Sequence, residues 1–258
     1  MDGSARSAVV IGPMGVGEVI DAGLKLARQN YRSLAVIIAY AVLPAFLIRQ
    51  VLDLLIRSAQ LSSVLTAIGA SVASIAVTIA AAELVAPTGD AASLDPGSLY
   101  RQAGKRIWPL FLLGLIFMVL AIPLVVIFPL GIFCFVRWSM CSYAMIIERD
   151  GPIAGLRRSW GLTHGVWWHT FGALLVIGIV YAVVAGIIGG IFAAVGALVI
   201  AVGSTTVGTF FITLGSAISS IFITPFAATT GVVLFYELRA RHEGFDLESR
   251  ATQLWQIP

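Results

Sequence analysis

Between Trp108 and Ile147 the only charged residue is Arg137. A single helix of about 40 residues would reach roughly 60 Å, twice the ~30 Å of bilayer hydrocarbon. The segment must therefore fold back as two membrane helices, with Pro123 and Pro129 bracketing the turn. The apolar run from Val166 to Tyr236 obeys the same arithmetic. Two long spans fit it, broken near Gly203-Ser204-Thr205-Thr206, and three short spans are the alternative. Residues 33–57 and 61–86 supply two more spans. Pro44 is expected to kink the first of these and Pro225 to bend the last span of the chain. The 61–86 span is rich in Ala, Ser, Thr and Gly, which let membrane helices approach closely.

Lipid is the solvent these runs require. Only 11% of the chain is charged and 59% is hydrophobic, against ~25% charged in soluble domains. The net charge of +3 does not point to nucleic acid, because the bases cluster at span ends. There they set orientation and meet anionic headgroups. With the N-terminus inside, 16 Lys and Arg residues divide sharply: all but Arg49, Arg57 and Arg137 fall on the cytoplasmic side. Arg57 is the one outside, while Arg49 and Arg137 lie within spans. A three-span ending would put the basic tail outside, so the count is six, with both termini cytoplasmic in a cell-membrane protein. The first residues carry no apolar core with a cleavage site, so the spans themselves direct insertion.

Polar elbows separate the spans. In residues 17–32, Glu18, Asp21, Lys25, Arg28 and Arg32 share one helical face and Ile20, Leu24, Ala27 and Tyr31 the other. Acids come first and bases last, as the helix dipole favours. The spacing predicts an amphipathic helix lying in the headgroup boundary. Residues 87–107 and 148–168 repeat the pattern, the latter with Gly151-Pro152 and the aromatic pair Trp167-Trp168. The expected fold is all-α: one integral membrane domain over 1–258, six transmembrane helices in three hairpins, with cytoplasmic amphipathic elbow helices. Approximate repeats run 17–86, 96–147 and 150–237, and 238–258 is a polar cytoplasmic tail.

Two sets of charges invite a role. Glu83, Glu148 and Glu237 sit at the inner ends of spans two, four and six, where a carboxylate opposes the helix dipole. Each is expected to pair with an elbow base, Glu148 with Arg157 or Arg158. In the outer half, Arg49, Asp53 and Arg57 recur at i, i+4 and i+8 on span one. Arg137 in span four costs roughly 2.5–3.5 kcal/mol to insert, so it needs a partner, and Asp53 is the expected one.

Other motifs fail on their chemistry. Gly12 and Gly17 have phosphate-loop spacing, but Glu18 and Val19 stand where lysine and a hydroxyl are required. His164 and His169, five apart without Cys, Asp or Glu beside them, do not form a metal site. Cys134 and Cys141 lie seven apart on one helix face, which precludes an unstrained disulfide between them. No nucleophile elbow, Cys-x-x-Cys motif or paired intramembrane acids occur, so neither catalysis nor a cofactor is expected.

The pieces GEVIDAGLKLARQNYR (17–32), ERDGPIAGLRRSWGLTHGVWW (148–168) and LFYELRARHEGFDLE (234–248) resemble the membrane domain associated with glycerophosphoryl diester phosphodiesterases. The resemblance implies a six-helix membrane domain of the kind found alone or fused to a phosphodiesterase. It does not carry the activity over: around His164, His169 and His242 there is no His-Arg dipeptide or acidic cluster to hold a metal. The expected function is a non-enzymatic membrane module that meets lipids or a partner protein through its basic cytoplasmic face. The alternative is a small transporter or channel for an anionic solute or lipid.

Overall fold

The computed structural model describes residues 13–55, 59–85, 95–126 and 128–255. Nine helices occur among them, and no strand: α1 (Val16–Gln29), α2 (Tyr31–Leu55), α3 (Ala59–Val85), α4 (Pro96–Val126), α5 (Phe128–Trp138), α6 (Cys141–Ile147), α7 (Pro152–Leu162), α8 (Trp167–Ala201) and α9 (Thr205–Trp255). Five stretches are long and apolar enough to cross a membrane: Tyr31–Leu55, Thr66–Val85, Leu130–Ile147, Trp167–Ala201 and Thr205–Gly244. The sixth span expected, from Trp108 onward, falls in α4. The side chains of 118–126, and the Pro123 and Pro129 side chains that bracket the expected turn, lie outside the described residues.

Local chemistry sets most boundaries. Asp95 caps α4, its carboxylate accepting the Ser98 N–H at 2.8 Å, with Pro96 at the first helical position. Glu18 folds back on the Gly15 N–H at 2.7 Å to close the start of α1. Gly151 and Pro152 open α7 in the same way as Pro96 opens α4. The break between α8 and α9 falls at the glycine-serine step read from the sequence. Gly203 adopts φ 103°, and its N–H and that of Ser204 close on the carbonyls of Ile200 and Val199.

Three expectations need correction. The second elbow is not separate from its span, because α4 runs unbroken from Pro96 to Val126. Pro109 stands at the junction and withholds one N–H from the ladder, yet the helix runs through it, since a single lost bond is tolerated in a membrane helix. The tail from 238 is likewise not a separate unit, since α9 continues to Trp255. Its i, i+4 pairs Glu237–Arg241 and Arg239–Glu243 support the continuation. Finally, α1 and α7 do not merely rest beside the bundle. α1 buries Val19, Gly23, Leu26 and Ala27 against α8 and α9, one step around from the face expected to be apolar. Its four charged residues, and Arg32 at the start of α2, remain exposed. α7 buries Gly155, Ser159 and Leu162.

Small residues make these contacts possible. Gly23 lies so close to Thr230 that a Cβ would sit 2.6 Å from the Thr230 Cα. Gly155 meets Met145 and Cys141, and the α8–α9 crossing brings Gly196 against Gly208 and Gly215 against Phe192. The core is not spread evenly. Buried residues concentrate where α2 and α8 begin, toward the end of α3 and just past the middle of α9, including Leu34, Ile37, Ala76, Ala80, Val233 and Phe235. This end is called the base. Away from it the helices present Leu47, Val51, Leu54, Ile187, Ile191 and Leu198 outward, as lipid contact requires.

Two glycine substitutions on α1 should move stability in opposite directions. Gly23→Ala must push α1 off Thr230 and lowers the unfolding free energy by about 1–3 kcal/mol. Gly17→Ala meets nothing within 4 Å and gains up to about 1 kcal/mol of helix propensity. Thermal unfolding of the two variants in detergent measures both.

Candidate functional site

The base is held by two carboxylate clasps. In the first, Glu148 at the end of α6 accepts two hydrogen bonds from Arg158 of α7, both 2.8 Å. Arg158 also donates to Glu243 of α9 at 2.6 Å, and Glu243 accepts from Arg239 at 2.7 Å. Arg239 closes the ring at 3.8 Å from Glu148. Two arginines and two glutamates thus tie α6, α7 and α9. The Glu148 hydrogen bond, assisted by Glu243, raises the Arg158 guanidinium above its ordinary value, overriding the opposing effect of burial. The pairing of Glu148 with an elbow base is one the structure makes, through Arg158; Arg157 is exposed.

The second clasp centres on Glu237, whose side chain is fully buried. Its Oε1 contacts Arg241 and accepts the Met14 N–H at 3.3 Å, while Arg241 donates to the Met14 carbonyl at 2.6 Å. The segment leading into α1 is therefore gripped on both sides by one turn of α9. His169 of α8 approaches from the third side, Nε2 at 3.4 Å from Oε2. Glu237 takes a base from its own helix rather than from an elbow. Glu83 is exposed and has no ion pair among the described residues.

The outer polar cluster comes apart. Arg49 and Asp53 stay together, Nε to Oδ2 3.6 Å, beside a small cavity of about 50 Å³ between α2, α3 and α9. Hydroxyls of Thr213, Ser216 and Ser220 line it, and Gln50 donates to Thr213 at 2.7 Å. Arg57 lies outside the described residues. Arg137 is not in this cluster, and Asp53 is not its partner. Its guanidinium lies over the rings of Phe133 and Trp160, at 5.2 and 4.9 Å, and donates to the Trp160 carbonyl at 3.2 Å. The reason is α7, which folds back along α6 and α5 and brings Trp160 to Arg137. Ser159 adds a hydrogen bond to the Arg137 carbonyl at 2.7 Å. Aromatic faces and a carbonyl thus replace the carboxylate expected from the insertion cost.

A larger feature has no counterpart in the sequence pattern. Between α3, α4 and the α5–α6 pair runs a lateral groove of about 700 Å³. Its walls include Ile68 and Ile75, Ile107 and Phe117, and Tyr143 and Ile146. At its basal end Arg106, next to Ile107, donates to the Met145 carbonyl at 2.6 Å. Burial, and then the like charge of Arg149, lower the Arg106 guanidinium from its ordinary value.

Comparison with protein-family models, curated proteins and solved structures finds no match for this chain. Among the described residues no three His, Cys, Asp or Glu side chains gather as a metal site. The geometry alone therefore carries the functional argument.

Removing the buried carboxylate should be costly. Glu237→Ala leaves the Met14 amide unpaired and Arg241 with only the Met14 carbonyl, and lowers stability by about 3 kcal/mol, the low end for a broken buried pair because Arg241 keeps that bond and some solvent access. Glu83→Ala, at an exposed position, changes it by less than about 0.5 kcal/mol. Unfolding titrations of both variants, run in parallel, test the contrast.

Proposed function

We propose that this chain is a non-enzymatic integral membrane module whose base meets the anionic headgroups of the cytoplasmic leaflet. One observation carries the reading: the base exposes more unpaired bases than acids, because Glu148, Glu237 and Glu243 are consumed internally and only Glu18, Asp21, Glu83 and Asp95 stay exposed without an ion pair among the described residues. Glu148, Glu237 and Glu243 are all engaged by Arg158, Arg239 and Arg241. Lys25, Arg28, Arg32, Arg101, Lys105 and Arg157 are exposed and make no ion pair among the described residues. A base near an anionic membrane surface contributes about 1 kcal/mol, so six of them give a sizeable attraction. The same asymmetry supports a cytoplasmic base, since basic segments favour that side. The resemblance to the phosphodiesterase-associated membrane domain fits a module of this kind and rests on the three stretches of sequence quoted above.

The second reading is transport of an anionic solute or lipid. It is favoured by the interruption of α5 and α6 at Ser139–Met140, next to the buried Arg137. Broken membrane helices beside charges commonly mark transport paths. Against it, the polar cavity at Arg49 and the groove along α4 are lined by different residues.

The test is lipid enrichment. After reconstitution into nanodiscs of mixed phosphatidylglycerol and phosphatidylcholine, the wild-type protein should concentrate phosphatidylglycerol severalfold around itself. The variant with Lys25, Arg28, Arg101, Lys105 and Arg157 all replaced by Gln should lose most of that enrichment, as should raised salt. Mass spectrometry of the retained lipid reads the ratio, and equal lipid ratios inside and outside the wild-type discs overturn the proposal.

A further inference from the structure

The groove between α3, α4 and α5–α6 opens sideways among helices whose outward residues are apolar, so lipid is the medium it faces. Along α3 it runs from Val64 to Thr78, roughly 21 Å of helix. That exceeds the ~15 Å depth of one hydrocarbon leaflet. Its volume of about 700 Å³ lies within the range of ligand-holding clefts.

Six hydroxyl residues line the groove, and three of them are spent on their own helices. Ser71 donates to the Ala67 carbonyl, Thr78 to Ser74 and Ser139 to Val136, each at 2.8–2.9 Å. With their protons turned back onto their own helices, these three side chains have no donor left for a ligand. Most of the lining is nonetheless apolar, from Val64 and Ile68 through Leu110, Phe111 and Phe117, so a hydrocarbon chain is well served there.

The basal mouth has the opposite character. Arg106 spends one guanidinium nitrogen on the Met145 carbonyl, beside the groove residue Ile146. Neither Arg106 nor Arg149 has a carboxylate partner among the described residues. Arg149 follows Met145, whose carbonyl Arg106 reaches, by four residues, so two guanidinium groups of the kind that suits phosphate stand near this mouth, with Glu148 and Asp150 beside Arg149 in the chain.

We infer that the groove seats one acyl chain of an anionic phospholipid from the leaflet at the base, with its phosphate resting on Arg106 and Arg149. The inference deepens the reading of the base as a headgroup-binding surface and rests on it. Lipid tails compete for the groove on equal terms, because hydrocarbon gains nothing by leaving hydrocarbon for an apolar wall. Preference is therefore set at the phosphate, while the groove decides whether the chain can follow.

Native mass spectrometry of the full chain in mild detergent tests this, with palmitoyl-oleoyl phosphatidylglycerol and phosphatidylcholine added at equal concentration. The wild type should hold one phosphatidylglycerol at concentrations at least ten-fold below those needed for phosphatidylcholine. Arg106→Gln with Arg149→Gln should abolish that preference. Gly114 lines the groove, and a Cβ added there would meet nothing within 4 Å, so Gly114→Phe can fill the space. It should remove the tight adduct of either lipid while leaving thermal unfolding of the lipid-free protein unchanged. If that variant does not fold, Ser71→Phe obstructs the groove from the α3 side. Inorganic phosphate at millimolar concentration should fail to displace the lipid; displacement would show an anion site without a chain site and overturn the inference. Equal affinity of the wild type for the two lipids, or an undiminished adduct in the folded filled variant, also overturns it. Nanodisc enrichment separates the two claims: enrichment that persists without a single tight adduct sinks only the groove, whereas absent enrichment removes the reading beneath it.

Discussion

An amide left unpaired in hydrocarbon costs several kcal/mol, and almost every feature of this chain follows from avoiding that cost. Helices satisfy their own backbones, so the chain is helical throughout its described residues apart from short connections. What remains to be paired are side-chain charges and helix ends, and these gather at the base. There Asp95 caps α4, Glu148 and Arg158 join α6 to α7, and Glu237 with Arg241 grips the segment before α1. The buried apolar residues gather at the same end, leaving the far halves of the helices to the lipid. Packing and polar pairing therefore reinforce one another at one end of the bundle.

Much of this was legible. The length of the Trp108–Ile147 run forces a fold-back, and Gly203-Ser204 marks the turn between α8 and α9. Glu148 and Arg158 were readable because a carboxylate at a helix end calls for a base nearby. Arg137 shows the limit. Its insertion cost is real, but the sequence offered only Asp53 as a remedy, since cation–π contacts with Phe133 and Trp160 depend on how α7 folds back. The buried face of α1 was misplaced for a related reason: Gly23 scores as neither apolar nor polar, yet its lack of a side chain lets α9 come close. Glu243 and Arg239 were legible in principle as an i, i+4 pair, but only to a reader who carried α9 past residue 238.

The groove was the least legible element. It belongs to no single segment, and its hydroxyls at Ser71, Thr78 and Ser139 read as polar until their hydrogen bonds are traced. Sequence patterns report faces of one helix at a time; a cleft among three helices is a property of their separation. The same holds for Arg106, which counted only as one more cytoplasmic base until its reach to the Met145 carbonyl placed it at the groove's mouth.

The uninterrupted course of α9 has a mechanical consequence. Its 51 residues make a rod of roughly 76 Å, more than twice the hydrocarbon thickness. About half of that rod must project beyond the lipid core, and the projecting part carries Glu237, Arg241 and the length of chain they hold. Pro225 breaks the backbone ladder inside this arm, so a tilt imposed at the Gly203 turn reaches the opposite side of the bilayer through a joint, and the posture of the base follows bilayer thickness by way of that joint.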